Sequence, residues 1–250
     1  MAMLLQNIRS SHQAKATFLY QAQERSNFPL ARTVLLVSVG QEVHEGKKLG
    51  ATLELVSKNF KSCDVIVCDV LQRHTMQISD FSPAKIVYEK SKLAGKYWIE
   101  RNLEHLQRLK IPYRIFFWEE FLSRSAFSVF REKIMLAYQG DATFKTAMDD
   151  TINDFVTRYE RRLLEIDRER AFTCCLNYLI EESAIIMLMW QAQQYHYIVY
   201  PGKMPKVLGA ARNKFVLPNN PDILKWVTVY VRSRGDNKHA ARGVLDGNIA

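Results

Sequence analysis

The feature that most constrains this chain is a set of short, continuous apolar runs separated by helix-length stretches. The run RTVLLVS, residues 32–38, is followed by Val39 and Gly40 and carries β-branched and aliphatic residues on both faces. That is the pattern of a strand covered on two sides in a parallel sheet. Residues 63–69 repeat it after a helical stretch at 47–59, and residues 113–118 repeat it after a long helical pattern from about 83 to 110. Parallel neighbours need a crossover of a dozen or more residues, which a helix supplies. The alternation predicts a doubly wound, Rossmann-like α/β sheet.

The second half is more helical. Residues 127–139 read as a helix, and from 144 to 193 almost nothing interrupts a helical pattern, so two helices are expected with a break in the charge-dense stretch at 167–170. A short strand at 197–200 stops at Pro201-Gly202, and a last one spans 226–232. The expected fold is a mostly parallel, five-stranded sheet flanked by helices, with a helical elaboration in the second half. Residues 1–250 are read as a single domain, with a polar N-terminal segment at 1–29 and a frayed tail at 233–250. A chain of 250 residues is long enough to bury one large core.

With 48% apolar and 24% charged residues, the composition excludes a disordered chain, a collagen-like repeat and a disulfide scaffold. The 35 basic residues exceed the 26 acidic ones, a net charge of +9. Such a surplus points to a polyanionic partner, nucleic acid first. Cys63, Cys68, Cys174 and Cys175 form no C-x-x-C pair, and reduced thiols in a cytoplasmic protein are expected. The N-terminus lacks the apolar core of a secretory signal, and the most apolar internal stretch, 184–190, is far short of the ~20 residues that span a bilayer. Neither export nor a membrane partner is expected.

In an open parallel sheet, ligands bind beyond the carboxyl ends of the strands. Ser38 lies at such an end. Its hydroxyl either enters the crevice, beside backbone amides that face a developing oxyanion, or simply ends the strand and caps the next helix. The loop after it is neither G-x-x-x-x-G-K-[ST] nor G-x-G-x-x-G, so triphosphate and dinucleotide readings lose their main support. Tyr178 and Glu182 are spaced i, i+4 and share one helical face. Together they could hold a substrate ammonium and move protons, or be a half-buried aromatic beside a solvated acid. Tyr200, followed by Pro201, brings a second phenol to the strand ends, though Tyr-Pro is also ordinary turn chemistry.

On the helix at 83–110, Lys85, Lys92 and Lys96 fall within roughly 40° of one another, with Lys110 on the same line and no acid on that line. Lys90, Arg101 and Arg108 make a second stripe. Such stripes suit a phosphate backbone, and equally the solvated face of a long helix. His44, His74 and His196 have no acid partner at a telling spacing, and no metal-ligand spacing is present.

Taken together, Ser38 within VSVGQEVHEG, Tyr178 and Glu182 within LNYLIEES, and Tyr200 followed by Pro201 resemble the cyclodipeptide synthases over about residues 30 to 205. Gln41 and Pro201 are similar to the family's Tyr-Pro branch. Leu36 departs from the glycine that many members carry two residues before the serine. The resemblance implies a fold similar to class I aminoacyl-tRNA synthetase catalytic domains and an aminoacyltransferase that works on two aminoacyl-tRNAs without ATP or another cofactor. It implies Ser38, Tyr178, Glu182 and Tyr200 as the catalytic set, and Lys85, Lys92, Lys96 and Arg101 as the tRNA surface. The substrate pockets are expected to draw on Val34, Leu36, Gln41, Trp118 and Pro201. A monomer is expected, since no heptad is visible.

Three alternatives belong to other classes. An adenylate-forming synthetase finds only partial motifs at residues 44–46 and 202–206. A non-catalytic RNA-binding α/β protein would use the same basic helix and survive loss of Ser38. A serine hydrolase lacks the G-x-S-x-G elbow.

Overall fold

A computed structural model describes residues 14–19, 25–161 and 167–233. Six strands form one sheet: β1 (Ala14–Leu19), β2 (Arg32–Ser38), β3 (Ser62–Cys68), β4 (Tyr113–Phe117), β5 (Tyr197–Tyr200) and β6 (Lys225–Ser233). Their order is β1-β6-β5-β2-β3-β4. All neighbours from β6 to β4 are parallel, and β1 adds antiparallel to β6. The sheet therefore has one strand more than the five expected, and it lies in the segment read as a polar leader. AKATFL buries only Phe18, so its alternation is faint, and its partner β6 stands at the far end of the chain. Ser233, expected in the frayed tail, closes β6; the rest of that tail lies outside the described residues.

The helices are α1 (Gly46–Asn59), α2 (Arg73–Met76), α3 (Ala84–Leu106), α4 (Glu119–Leu122), α5 (Ala126–Gly140), α6 (Ala142–Glu160), α7 (Arg168–Ser183) and α8 (Lys206–Phe215). The long helical run divides as its charges suggest. Asp141 caps α6 by accepting the Phe144 amide, and Asp167 caps α7 by accepting the Arg170 amide, each at 3.0 Å. Beyond Ser183 the helix loosens into a π turn at Ala184–Leu188 and a 3₁₀ turn at Met189–Gln193, and Gln194, at φ 55°, ends it. The whole stretch Arg168–Gln193, with a mean hydropathy of 1.4 in its most apolar window, is long and apolar enough to cross a membrane by length and composition. Most of that window is buried inside the protein, where it packs in the core.

Strand parity sorts the core into two layers. Leu35 and Val37 of β2 face α1 and α3, joining Leu49, Leu53, Val56 and Trp98. Val34 and Leu36 face the other way, with Ile66, Cys68 and Ile198, onto α5 to α8. Ser38 shares their parity, so its side chain belongs to the α7 side of the sheet. At the opposite end of the strands, buried Asp64 accepts bonds from Arg32, Arg114 and the Tyr195 hydroxyl, each at 2.7 Å. Burial would raise its pKa, but those donors outweigh it and hold the carboxyl below its ordinary range.

One glycine sets how closely α3 approaches the sheet. A Cβ at Gly95 would stand 2.4 Å from the Cβ of Asp69, at the end of β3. Gly95→Ala is expected to cost about 1–3 kcal/mol through this overlap, read as a lower denaturant midpoint. An unchanged midpoint would show that α3 can move aside.

Candidate active site

The sheet order reverses between β2 and β5: the chain proceeds outward through β3 and β4, then returns to β5 and β6 on the other side. Such a reversal opens a crevice at the carboxyl ends of the two central strands. Ser38 ends β2 and Tyr200 ends β5, and their hydroxyls lie 3.2 Å apart across it. Either oxygen can donate in this pair. Ser38 is buried, while Tyr200 is half-buried. Burial pushes the Tyr200 phenol up to about 12, eased by the Ser38 bond and reinforced by the Glu182 charge, so it is a neutral hydroxyl at physiological pH.

Both α7 residues reach the same crevice. The Tyr178 hydroxyl favours the ionised form of the Glu182 carboxyl, and burial nevertheless pushes that carboxyl up to about 8. Tyr178 is itself raised well above 10, by burial first and then by the charges of Glu182, Cys68 and Tyr200. These mutual influences place all of these groups in one low-dielectric pocket. Its neighbour Glu181, one residue away, has a different fate. Glu181 accepts bonds from Arg73 and from the Trp118 indole, each at 3.0 Å, and lies 3.3 Å from His74 Nε2. Burial opposes its ionisation, but His74 and Arg73 outweigh burial and lower its pKa. Glu181 is thus held as a buried anion, whereas burial favours the protonated form of Glu182.

The turn after Ser38 is braced from α3. Gln41 N–H donates to the Ser38 carbonyl at 3.3 Å, and Gly40, at φ 84°, takes the left-handed position in that turn. His44 follows in a single 3₁₀ turn and is buried. Its Nδ1 accepts the Ser38 amide at 3.0 Å, and its ring stands edge-on to Tyr200 with centroids 5.3 Å apart. Trp98 holds the His44 carbonyl at 2.9 Å. Asn102 Oδ1 accepts the Gly46 amide at 2.9 Å, and its Nδ2 donates to Glu45 at 2.7 Å. On its other side, Tyr200 packs against Trp226, whose indole donates to the Gly202 carbonyl at 2.9 Å.

The remaining expected site residues divide. Val34 and Leu36 lie buried under Ser38 on its own face of β2. Pro201 is buried directly after Tyr200, and Gln41 is half-buried in the serine turn. Trp118 is fully buried, its indole committed to Glu181 and its ring packed against Phe121 and Trp190. Sequence reasoning missed Cys68, which pairs in register with Ser38 on β3 and so shares its side of the sheet. It also found no telling partner for His44 and His74, yet one lies behind the serine and the other beside a buried carboxylate.

The basic helix is less free than its own sequence suggests. Lys85 and Lys96 are exposed, but Lys92 pairs with Glu119 at 2.8 Å and Arg101 with Glu45 at 3.2 Å. Lys90 and Arg108 pair with Asp80 and Glu54. These acids come from other elements, and Glu89 of α3 itself also acts on Lys92. Among the described residues no group of three or more potential metal ligands is assembled.

A Rossmann-like protein with paired hydroxyls at its switch point and a buried carboxyl of raised pKa beside them is the class that this fold and site define. No protein-family model matches the chain, and the comparison with curated proteins finds no match. Solved structures supply the relation. The chain is 31% identical to a CDPS from Fluoribacter dumoffii, with a TM-score of 0.85, covering 89% of this chain and 99% of that one. The chain belongs to the cyclodipeptide synthase family, abbreviated CDPS. At 18% identity it shares its fold with a cyclodipeptide synthase from Candidatus Glomeribacter gigasporarum bound to Phe-tRNAPhe, with a TM-score of 0.66 over 83% of this chain and 89% of that one. At 12% identity it shares its fold with a Mycobacterium tuberculosis protein whose structure relates cyclodipeptide synthetases to type I tRNA synthetases. There the TM-score is 0.62, over 88% of this chain and 93% of that one.

Proposed function

We propose that this chain joins the aminoacyl groups of two aminoacyl-tRNAs into a cyclic dipeptide without ATP, as an aminoacyltransferase of the Tyr-Pro branch. The observation that carries the reading is the convergence of Ser38, Tyr200, Tyr178 and Glu182 in one buried crevice. An aminoacyl-tRNA is already an activated ester, so a hydroxyl nucleophile suffices.

In the first step, Ser38 Oγ attacks the ester carbonyl and the bond to the tRNA ribose oxygen breaks. The Ser38 proton passes to the Tyr200 oxygen while Tyr200 gives its own to the departing ribose oxygen, a relay the 3.2 Å contact allows. The product is an aminoacyl ester on Ser38 and a free tRNA hydroxyl. Tyr178 and Glu182 hold its α-ammonium, and the Glu182 carboxylate takes a proton from it. In the free chain burial raises this carboxyl to about 8; the positive charge of the bound ammonium favours its ionised form, which can then take a proton from an amine of ordinary pKa about 7.7–8.

The freed amine attacks the second aminoacyl ester, forming an amide and releasing the second tRNA with a proton on its ribose oxygen. The terminal amine of the resulting dipeptidyl ester then attacks the acyl carbonyl esterified to Ser38 Oγ; the ester C–O bond breaks, the six-membered ring closes, and Oγ leaves with the amine's proton. Val34 and Leu36 form the apolar wall beside the nucleophile.

The test is incubation with a mixture of charged tRNAs in the absence of ATP, with mass spectrometry for diketopiperazines and for acylated protein. Product without ATP is expected; neither product nor adduct would overturn the reading. For the tRNA surface, Lys85, Lys92, Lys96 and Arg101 are proposed to meet phosphates. Charge reversal at Lys92 and Lys96 should weaken tRNA binding at low salt at least tenfold and flatten its salt dependence. Because Lys92 already neutralises Glu119, Lys96→Glu alone should account for most of the change in salt slope. An unchanged slope in the double variant would leave α3 as a solvated face.

A further inference from the structure

Ser38 cannot be understood from its hydroxyl alone, because its backbone is held by a side chain six positions later. The Ser38 amide donates to His44 Nδ1 at 3.0 Å. Nδ1 also lies 3.3 Å from the Ser38 carbonyl; the shorter contact is to an amide, which can only donate, and on it we assign the lone pair to Nδ1 and the ring proton to Nε2. That nitrogen is buried and has no hydrogen-bond partner. Burial is the main cause that pushes the imidazole down to about 4, opposed by the nearby Ser38 carbonyl, so the ring is neutral at physiological pH. Its edge-on contact with Tyr200 touches the other half of the hydroxyl pair, and the Trp98 bond to the His44 carbonyl ties the turn to α3.

We infer that His44 is the positioning residue of the acyl-transfer site: by accepting the Ser38 amide and bracing the Tyr200 ring, it holds the two hydroxyls in register before substrate arrives. The inference rests on the proposed acyl transfer to Ser38. It has a consequence for the transition state. The Ser38 amide is committed to the imidazole, so the developing oxyanion must take its donors from elsewhere in the turn. A histidine that only filled space could be replaced by any side chain of similar volume. One that positions through Nδ1 requires an acceptor there.

The experiment compares His44→Leu, which fills the space without an acceptor, with His44→Asn, whose amide oxygen can take the place of Nδ1. The rate of Ser38 acylation is measured by intact-protein mass spectrometry over a range of aminoacyl-tRNA concentrations. His44→Leu is expected to lower the maximal rate at least about thirtyfold with little change in the half-saturating concentration. His44→Asn should recover most of that loss. Equal rates for wild type and His44→Leu, or equal losses in both variants, would overturn the inference. Acylation absent from the wild-type protein would instead sink the proposed function. Nitrogen-15 spectra of histidine-labelled wild-type protein give a readout independent of activity. A bare Nδ1 and a protonated Nε2 at His44 are expected, and the opposite tautomer would refute the assignment.

Discussion

Alanine at Ser38 is expected to remove both the acylated protein and the cyclic product, a loss of at least about a thousandfold in turnover. The substitution deletes one oxygen from a buried strand end whose backbone contacts, to His44 and to Gln41, do not involve that oxygen. Its cost to folding is the single hydroxyl contact with Tyr200, about 1 kcal/mol. A folded protein that melts about 2–4 °C lower and carries no adduct is therefore the expected result. Mass spectrometry of the protein and of the reaction mixture reads both quantities from one incubation. Product formed by Ser38→Ala at the wild-type rate would mean that one aminoacyl-tRNA attacks the other directly, and the covalent route would be abandoned.

Glutamine at position 182 should have two opposite effects. The amide keeps the shape of the carboxyl but cannot take a proton from the bound ammonium, so turnover should fall about a hundredfold or more. Stability should move the other way, and the direction depends on pH. The Glu182 carboxyl is raised from an ordinary 4.5 to about 8 in the folded chain, principally by burial. Between those values the folded state holds a proton that the unfolded state has released. The stability tied to that proton is fully present below about 4.5 and is lost as pH rises through about 8. Glu182→Gln removes this loss. It should therefore melt at a higher temperature than wild type at pH 8.5, by an amount worth a few kcal/mol, and show little difference at pH 5. Melting curves at the two pH values decide it. A variant no more stable than wild type at pH 8.5 would mean that the carboxyl is not desolvated as described.

Much of this arrangement was legible in the residues, and the parts that were not have physical reasons. β2 and β5 were read at their observed bounds because a strand covered on both faces is apolar along its whole length, and Gly40 and Pro201 punctuate the ends. β1 escaped because an edge strand with one buried side chain carries little pattern, and its pairing with β6 is a matter of topology. Tyr178 and Glu182 were visible because helical spacing puts i and i+4 together. Nothing in the i, i+6 relation of Ser38 and His44 announces a contact, since it depends on the turn at Gly40 and on Trp98, far along the chain. Lys92 and Arg101 were read from their own helix, whereas the carboxylates that meet them arrive from α4 and from the turn before α1. Trp118 was expected to line a substrate pocket, but the bond of its indole to Glu181 follows from how α7 packs.

One contact carries a meaning for energy supply. In dinucleotide-binding folds, the first turn of the helix after the first central strand is where a phosphate is received by exposed amides. Here the Gly46 amide is taken by Asn102, and the Glu45 carboxylate sits beside it, held by that same asparagine. A side-chain oxygen and a negative charge thus occupy the place where a nucleotide's phosphate would dock. In the proposed reaction this makes the enzyme a downstream consumer of activation: the driving force for two amide bonds arrives already stored in the ester linkages of its substrates. Its output is accordingly tied to the pool of charged tRNA, which it would share with the ribosome, rather than to the concentration of free nucleotide.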